Sequence, residues 1–164
     1  YGEELGMKGS GKDENKRAPM YWNKDGNAEG MCKGPADMDD FRMKFDSLEE
    51  QQEDPDSIYN YVKQVIRVRN QNPVIARGTT AYLEQYSGEQ CFALTRSYEG
   101  SNLLLLGNTS AEAVSVDLTG LTVGGTTAEE LVLLGELYTG EETAERAGTV
   151  VTLPAYSILI LGEE

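Results

Sequence analysis

The chain has 164 residues, enough for one ordinary domain or for a small domain with part of another, and it carries 28 acidic against 14 basic side chains. The formal net charge of -14 argues against a nucleic-acid partner, because binding phosphates requires a basic face that displaces counterions. Histidine is absent, which excludes Ser-His-Asp and Cys-His catalytic arrangements, so any chemistry must use carboxylates or lie outside this sequence.

Neither a membrane span nor a cysteine-based site is predicted. The apolar runs at 103–106 and 158–161 are far shorter than the roughly 20 residues that a spanning helix needs. Cys32 and Cys91 lack the CxxC spacing of zinc and redox sites, so two free thiols are favoured and a single disulfide is the alternative. The sequence opens on Tyr1 without a basic or apolar leader, which indicates a start inside a longer protein.

Residues 1–45 are rich in Gly, Lys, Asp, Asn and Met and show little periodicity, which predicts a long loop. Loops longer than about 15 residues are uncommon in compact domains unless they are functional or disordered. The mixed-charge run 12–17 is typical of a solvated loop. Arg17, however, is followed closely by Pro19 and by Trp22, the only tryptophan. A guanidinium beside an aromatic ring can donate to sugar hydroxyls, although packing is the alternative role.

Two helix starts follow the loop. Ser47 and Glu50 have the spacing of a capping box, which predicts a short helical turn. Asp54 before Pro55 predicts the cap and first residue of a longer helix, at about 55–71. This helix has an apolar stripe that we expect to be buried, and its end is set by a proline at position 73. The residues at this spacing are the apolar Ile58, Tyr61, Val62, Val65 and Ile66, followed by Arg69.

From Arg77 onward, short β-favouring runs alternate with Gly, Asn and Ser. The predicted strands are 79–85, 91–97, 102–107, 113–118, 130–138, 149–153 and 156–161. Their regular spacing indicates an antiparallel sandwich or barrel. Gly124-Gly125 and Gly140 predict turns, and Pro154 either separates the last two runs or bends a single strand.

Two loop motifs resemble one known family. The sequence YGEELGM at 1–7, followed by RAPMYW at 17–22, resembles the segment after the eighth barrel strand in the α-amylase family, glycoside hydrolase family 13. Residues 54–73 resemble that family's final barrel helix and its exit, and LPAYS at 153–157 resembles the ending of its C-terminal β-domain. The likeness is strongest before residue 76.

The resemblance implies an α+β fold with two parts. Residues 1–76 would be the last loop and final helix of a (β/α)8 barrel, and residues 77–164 an all-β antiparallel sandwich. In such barrels the substrate site is built by the loops that follow the strands, so the long loop would form part of it. Faces that normally pack on the rest of the barrel would be exposed in this chain.

The same resemblance implies substrate-binding roles for three residues. Arg17 matches a position that contacts the sugar at the cleavage subsite in glucosidase-like members. Glu4 matches the second Glu of the first motif, where it either hydrogen-bonds within the barrel mouth or contacts sugar. Trp22 either packs the loop or stacks on sugar. No residue matches the family's catalytic carboxylates, so no catalytic residue is assigned.

The implied function is that of a retaining α-glucosidic hydrolase acting on starch or maltodextrins, of which this chain supplies one wall of the site and a bracing β-domain. Its implied partners are the α-glucan and the remaining barrel segment, and this chain alone should be inactive. A glucosyl-transferring relative and a non-catalytic glucan-binding or structural module are the alternatives. Many family members bind calcium, but no cluster here resembles a calcium loop, so we assign no cofactor or metal. The substrate class suggests an extracellular or cell-surface location.

Overall fold

The computed structural model describes residues 1–39 and 45–163, so residues 40–44 of the predicted loop lie outside the described part. The described residues divide into two units, Tyr1–Lys63 and Gln64–Glu164, and each is considered by itself below. The division falls inside a helix, and the boundary at residue 76 stays a prediction. No helix within 1–39 and 45–163 combines the length and apolarity needed to cross a membrane.

The first unit is mostly irregular chain with two short 3-10 helices, Glu3–Leu5 and Asp13–Arg17, followed by helix α1 (Leu48–Glu53). The capping box predicted for α1 is confirmed. Ser47 Oγ accepts from the Glu50 amide at 3.4 Å, and the Glu50 carboxylate accepts from the Ser47 amide at 3.1 Å. Hydrogen bonds from the Ser47 hydroxyl and amide lower the pKa of the Glu50 carboxyl, so this cap is ionised at neutral pH.

The predicted start of the second helix was wrong by three residues, because helix α2 spans Ile58–Gln71. Pro55 lies in a turn in which Asp54 Oδ1 accepts from the Asp56 amide at 3.0 Å. Asp54 thus closes its own local turn, as Asp side chains commonly do. Ser57 takes over as the cap, because its Oγ accepts from the Asn60 amide at 3.2 Å.

The predicted burial of the stripe on α2 was also wrong for this chain. The helix has no buried residue, and Ile58 and Ile66 are 50% and 52% exposed. Tyr61 is half-buried, and its partial burial raises the pKa of the phenol. The apolar stripe of α2 is therefore largely uncovered by the rest of the described chain.

A buried glutamine connects three parts of the first unit. Gln51 is only 4% exposed, and its amide nitrogen donates to the carbonyls of Leu5 at 3.0 Å and Asp46 at 2.8 Å. Its amide oxygen accepts from the Tyr59 amide at 3.1 Å, and its main-chain carbonyl accepts from Ser57 Oγ at 2.6 Å. The start of the chain, α1 and the start of α2 are therefore joined through this one residue.

Up to residue 163, the second unit contains the end of α2, helix α3 and ten strands. Helix α3 spans Pro73–Arg77 and begins with the proline predicted to end the preceding helix. The strands are β1 (Thr79–Tyr82), β2 (Cys91–Tyr98), β3 (Ser101–Asn108), β4 (Val114–Asp117), β5 (Thr122–Val123), β6 (Thr126–Thr127), β7 (Val132–Leu137), β8 (Glu145–Ala147), β9 (Val150–Leu153) and β10 (Ile158–Gly162). All their pairings are antiparallel, so the predicted α+β class with antiparallel sheets is confirmed.

The strands form open sheets and, within the described residues, no closed barrel. One sheet has the order β1-β2-β3-β10-β7, a second has the order β4-β9-β8, and β5 and β6 form a small hairpin. Seven strands match the predicted runs, with ends moved by up to three residues. The hairpin and β8 were not predicted as strands, because segments of two or three residues carry too little hydrophobic alternation to be recognised. Pro154 separates β9 from β10.

The core lies between the inward faces of these sheets. Leu104, Leu106 and Leu159 from the five-stranded sheet are nearly inaccessible, as are Val151 and Leu153 from the three-stranded sheet. Burying a leucine or valine side chain stabilises a fold by roughly 1.5–3 kcal/mol, so this cluster provides the main driving force for folding. Two sheets enclosing one apolar layer form the sandwich that the strand spacing predicted.

Helix α3 is attached to the five-stranded sheet by an arginine. Arg96 on β2 donates from Nε to the carbonyl of Val74 at 3.4 Å and from Nη2 to that of Ile75 at 2.6 Å. Both acceptors belong to the short helix, which packs against β2 and β3. The guanidinium thus gives the Ile75 carbonyl a partner and is a second donor to the Val74 carbonyl, which also accepts from the Gly78 amide at 3.0 Å.

Asn108, at the end of β3, is a buried polar residue of the second unit. It is 3% exposed, and Nδ2 donates to the carbonyls of Glu112 at 2.7 Å, Pro154 at 2.8 Å and Leu153 at 3.2 Å. Oδ1 accepts from the amide and the hydroxyl of Ser110, both at 2.9 Å. One side chain thus joins the loop after β3 to the loop between β9 and β10.

Replacing Asn108 with alanine should therefore destabilise the chain. Asn108→Ala leaves buried carbonyls and the Ser110 amide without their partner, which costs about 1–3 kcal/mol in the free energy of unfolding. Urea titration followed by β-sheet circular dichroism measures this loss. Asn70→Ala, on the exposed face of α2, is the matched control and should change stability little. Equal stability of the two variants would contradict the role given to Asn108.

Acid should weaken the second unit through Asp117. The hydroxyl and then the amide of Thr119, and next the hydroxyl of Thr149, donate to Oδ1 and lower the pKa of this carboxyl. The pKa of Asp117 is therefore lower in the folded state than in the unfolded state. Its contribution to stability is complete at pH values above the unfolded-state pKa, and it is lost as the pH falls through the folded-state pKa. As the pH is lowered through the acid range, the free energy of unfolding should decrease less steeply for Asp117→Asn than for the original chain. Glu89→Gln, at another exposed carboxyl, should keep the original slope.

Candidate functional site

The first motif forms a tight, closed turn. Gly2 has a φ of 80°, and the amides of Leu5 and Met7 donate to its carbonyl at 3.1 and 2.9 Å. A Cβ at this position would lie 2.2 Å from Met7 Sδ, so both the conformation and the space require glycine. Leu5 is completely buried and fixes the turn to the interior of the first unit. Glu4, on the same turn, is partly exposed.

The structure brings the two motifs into contact. The Tyr1 hydroxyl donates a hydrogen bond to the carbonyl of Ala18, the residue immediately after Arg17. Ala18 is 5% exposed, whereas Arg17 itself is exposed at the end of the 3-10 helix Asp13–Arg17. The two sequence elements that carry the family resemblance therefore lie side by side.

The residues before Arg17 are joined to a later part of the loop. Asn15 is 6% exposed, and its Nδ2 donates to the carbonyl of Ser10 and to Asp39 Oδ2, both at 2.8 Å. Its Oδ1 accepts from the Asp39 amide at 3.0 Å. Hydrogen bonding from Asn15, and next from Lys12, lowers the pKa of the Asp39 carboxyl, so the group is ionised at neutral pH.

Trp22 is exposed on a backbone that helix α1 holds in place. The carbonyls of Tyr21 and Trp22 accept from the amides of Leu48 and Glu49 at 2.9 and 3.1 Å. These are free N-H groups of the first turn of α1, which need partners outside the helix. The Tyr21 hydroxyl also donates to the carbonyl of Lys24 at 2.6 Å. The indole is 45% exposed, so a large part of its surface is available for contacts.

The three predicted substrate-binding residues thus share one unit but form no polar cluster. Within the described residues, the side chains of Glu4, Arg17 and Trp22 make no hydrogen bond or ion pair with one another or with other described groups. Their predicted roles stay predictions. The Asn15–Asp39 contact was not anticipated, because Asn15 lies in a mixed-charge run and its partner is 24 residues away.

The cavity beside the two motifs is too small for a sugar. It has a volume of about 40 Å³ and is lined by Tyr1, Met7, Lys8, Lys16 and Phe45, among others. That space suits a molecule of about the size of water. This cavity therefore has no room for a sugar ring.

Hydrogen bonds lower the pKa of several described carboxyl groups. Five have a clearly moved pKa, and all five are lowered, with a side-chain hydrogen bond as the largest cause in each: Asp13, Asp39, Glu50, Asp117 and Glu130. A glycosidase acid needs the opposite shift, because it must be protonated at working pH. None of these five therefore suits the role of the catalytic acid.

The described part of the chain offers no evident metal centre. Across residues 1–39 and 45–163, no three His, Cys, Asp or Glu side chains are grouped so that they could hold a metal ion. A cleft of about 470 Å³ in the second unit is lined by Glu141, Glu142 and Glu145, together with Thr143, Thr152, Ala113 and Pro154. These lining residues include no aromatic ring on which a sugar could stack.

No family model matches the chain, but solved and curated proteins do. The solved structure of Eubacterium rectale Amy13B is 40% identical, with a TM-score of 0.88, over 100% of this chain and 30% of that one. Alpha-amylase 3 of Dictyoglomus thermophilum is 31% identical over 78 residues, which are 48% of this chain and 16% of the relative. Trehalose synthase of Thermus thermophilus is 26% identical over 129 residues, 72% of this chain and 13% of the relative.

This chain therefore spans less than a third of the length of each of these proteins. The likeness to Amy13B nevertheless covers every residue of the chain, including both loop motifs and the antiparallel sheets. The relatives named α-amylase and trehalose synthase agree with the family that the two motifs resembled. From these matches and the fold, the chain belongs to the α-amylase family, glycoside hydrolase family 13, and corresponds to the C-terminal region of its enzymes.

Proposed function

We propose that this chain is part of an α-amylase-type retaining glycosidase that hydrolyses α-glucosidic bonds in starch or maltodextrins. The observation that carries the proposal is the likeness to Amy13B over the whole chain, at 40% identity. The match to a relative named α-amylase supports the choice of hydrolysis.

In this proposal, the long loop supplies one wall of the substrate site. Arg17 donates hydrogen bonds to sugar hydroxyls, because an exposed guanidinium presents several N-H groups in a fixed plane. Trp22 offers an apolar ring face to the sugar. Glu4 accepts a hydrogen bond either from a sugar hydroxyl or from a donor group within the barrel mouth. The backbone contacts at Ala18 and at Tyr21 support these roles, because both exposed side chains are carried by fixed main chain.

The C-terminal part of the chain, residues 77–164, has a bracing role in the proposal. Residues 1–76 belong to the end of the catalytic barrel, and residues 77–164 form a separate antiparallel domain that binds no glucan itself. The cleft lined by Glu141, Glu142 and Glu145 has no aromatic ring among its lining residues, which supports a structural role. The extracellular or cell-surface location expected from the substrate class is part of the same proposal.

Cleavage itself requires groups outside this sequence. A retaining enzyme needs one protonated and one ionised carboxyl about 5 Å apart, the first to protonate the leaving oxygen and the second to form the glycosyl intermediate. The lowered pKa of carboxyls such as Asp13 and Asp39 supports structural roles for them. We therefore expect this chain alone to be inactive.

Glucosyl transfer is the second candidate function. The match to a trehalose synthase covers 72% of this chain, more than the match to alpha-amylase 3. Transfer and hydrolysis share the glycosyl intermediate and differ in the acceptor that attacks it, a sugar hydroxyl or water. The residues proposed here as site wall would serve either reaction.

Product analysis of the full-length protein distinguishes the two functions. Incubation with soluble starch and maltodextrins should release new reducing ends, and the 164-residue chain alone should release none. Accumulation of trehalose or another rearranged sugar without new reducing ends would favour transfer. A full-length protein that leaves both substrates unchanged would exclude hydrolysis of α-glucans.

Arg17→Ala in the full-length enzyme should lower kcat/KM for short maltodextrins. Losing one charged hydrogen bond costs about 1.5–3 kcal/mol, which is roughly a ten- to hundredfold decrease. Steady-state kinetics with a defined maltodextrin measures it. Arg67→Ala, which removes another exposed arginine in α2, is the control and should keep the original value. Equal kinetics of the Arg17 and Arg67 variants would remove Arg17 from the site.

A further inference from the structure

Arg17 is an exposed side chain on a backbone that is fixed on both sides. Two residues before it, Asn15 is buried and hydrogen-bonded, and immediately after it Ala18 accepts from the Tyr1 hydroxyl. Its guanidinium makes no hydrogen bond or ion pair with any residue in the described part of the chain. The main chain beneath Arg17 is therefore fixed, while its side chain extends into solvent.

The contact on the N-terminal side is a reciprocal pair between Asn15 and Asp39, here called the Asn15–Asp39 pair. The Asn15 side chain both donates to the Asp39 carboxylate at 2.8 Å and accepts from the Asp39 amide at 3.0 Å. It also donates to the Ser10 carbonyl, so both amide hydrogens and the oxygen are used. A Cβ at Gly9 would lie 2.1 Å from the Asn15 carbonyl oxygen, which shows how closely the chain passes here.

The segment that carries Asp39 also contacts the residues after Arg17. A Cβ at Gly34 would lie 2.7 Å from Met38 Sδ and 3.4 Å from Pro19 Cδ, so this glycine lies directly against both side chains. Residues 34–39 therefore contact the Arg17 segment at position 15 and at position 19. Two contacts on opposite sides of one residue restrict its backbone more than either contact alone.

The salt bridge in this region is the weaker part of the arrangement. Lys12 Nζ lies 2.8 Å from Asp39 Oδ1, but the two side chains are 43% and 58% exposed. Exposed ion pairs contribute little to stability, because water screens the attraction between the charges and two mobile side chains must be ordered. The hydrogen bonds to the buried Asn15 amide should therefore determine the position of the segment.

From these contacts we infer that the Asn15–Asp39 pair is a positioning element that holds the main chain of Arg17 for binding of an α-glucan hydroxyl. The inference rests on the proposed function, since it requires Arg17 to contact substrate. Asn15 and Asp39 do not touch the sugar, and they act through Arg17. Ordering the segment before substrate arrives reduces the entropy lost on binding and aligns the donor with the reacting sugar.

A double-mutant cycle in the full-length enzyme tests this coupling. Asp39→Ala should lower kcat/KM for a short maltodextrin by about tenfold, because a small displacement of a binding group has a large effect on rate. In the Arg17→Ala background the same change should have less than a twofold effect, because the residue to be positioned is gone. Asp37→Ala, which removes a neighbouring exposed carboxylate, should leave kcat/KM unchanged in both backgrounds.

The conservative variant distinguishes positioning by the hydrogen bond from an effect of charge. In Asp39→Asn the side-chain oxygen can still accept from Asn15, whereas the ion pair with Lys12 is lost. We expect this variant to keep kcat/KM within about twofold of the original. A loss as large as that of Asp39→Ala would contradict the assignment to the hydrogen-bonded pair.

Hydrogen exchange on the same full-length variants provides a readout independent of substrate. The backbone amide of Asn15 donates to the Lys12 carbonyl. Asp39→Ala should speed hydrogen exchange of this backbone amide by at least about tenfold. Exchange of the Gln51 amide in α1 should stay unchanged, which excludes general unfolding. Unchanged exchange at Asn15 would overturn the inference.

The outcomes separate the two proposals. If Arg17→Ala leaves the kinetics unchanged, the proposed substrate contact fails, and the pair has no residue to position. If Arg17→Ala is impaired but the Asp39→Ala effect is equally large in both backgrounds, the substrate contact stands and the positioning inference fails.

Discussion

Buried side-chain amides hold the irregular parts of this chain in place. The described part of the loop in the first unit has almost no regular secondary structure, so few of its backbone groups are satisfied by a helix or a sheet ladder. Asn15 and Gln51 supply the missing hydrogen bonds there, and Asn108 does the same between two loops of the sandwich. An amide suits this task, because it donates twice and accepts at the same time without bringing a charge into the interior.

Hydrogen bonds also fix the main chain beneath the exposed side chains of the two motifs. A long loop on the surface would ordinarily move, and side chains on it would have no fixed direction. Here Tyr1 bonds to the chain beside Arg17, and the first turn of α1 bonds to the chain beside Trp22. The interior groups are satisfied, while the arginine and the indole point their free surface to solvent. The main chain at both positions is therefore fixed, and the two exposed side chains extend from it.

Local signals were predicted from the sequence, and contacts between distant residues were not. The Ser47 capping box depends on four consecutive residues and was predicted correctly, as were seven strands with clear β-favouring composition. The start of α2 was misplaced, because Asp54 had two local options and formed a turn instead of a cap. The contact of Asn15 with Asp39 depends on how the loop returns, which no spacing encodes. For the site, the motifs indicate a segment, and both that segment and the roles of Arg17, Glu4 and Trp22 stay predictions.

Strand β8 lies at the open edge of the three-stranded sheet. Its residues are Glu145, Arg146 and Ala147, all exposed, and the arginine also donates to the carbonyls of Ala128 and Leu131. An uncovered strand can recruit a strand from another molecule and begin aggregation. Here the edge is only three residues long, carries a charge of each sign and is attached to its own domain by the guanidinium. This edge of the three-stranded sheet is therefore a poor template for pairing with a strand of another molecule.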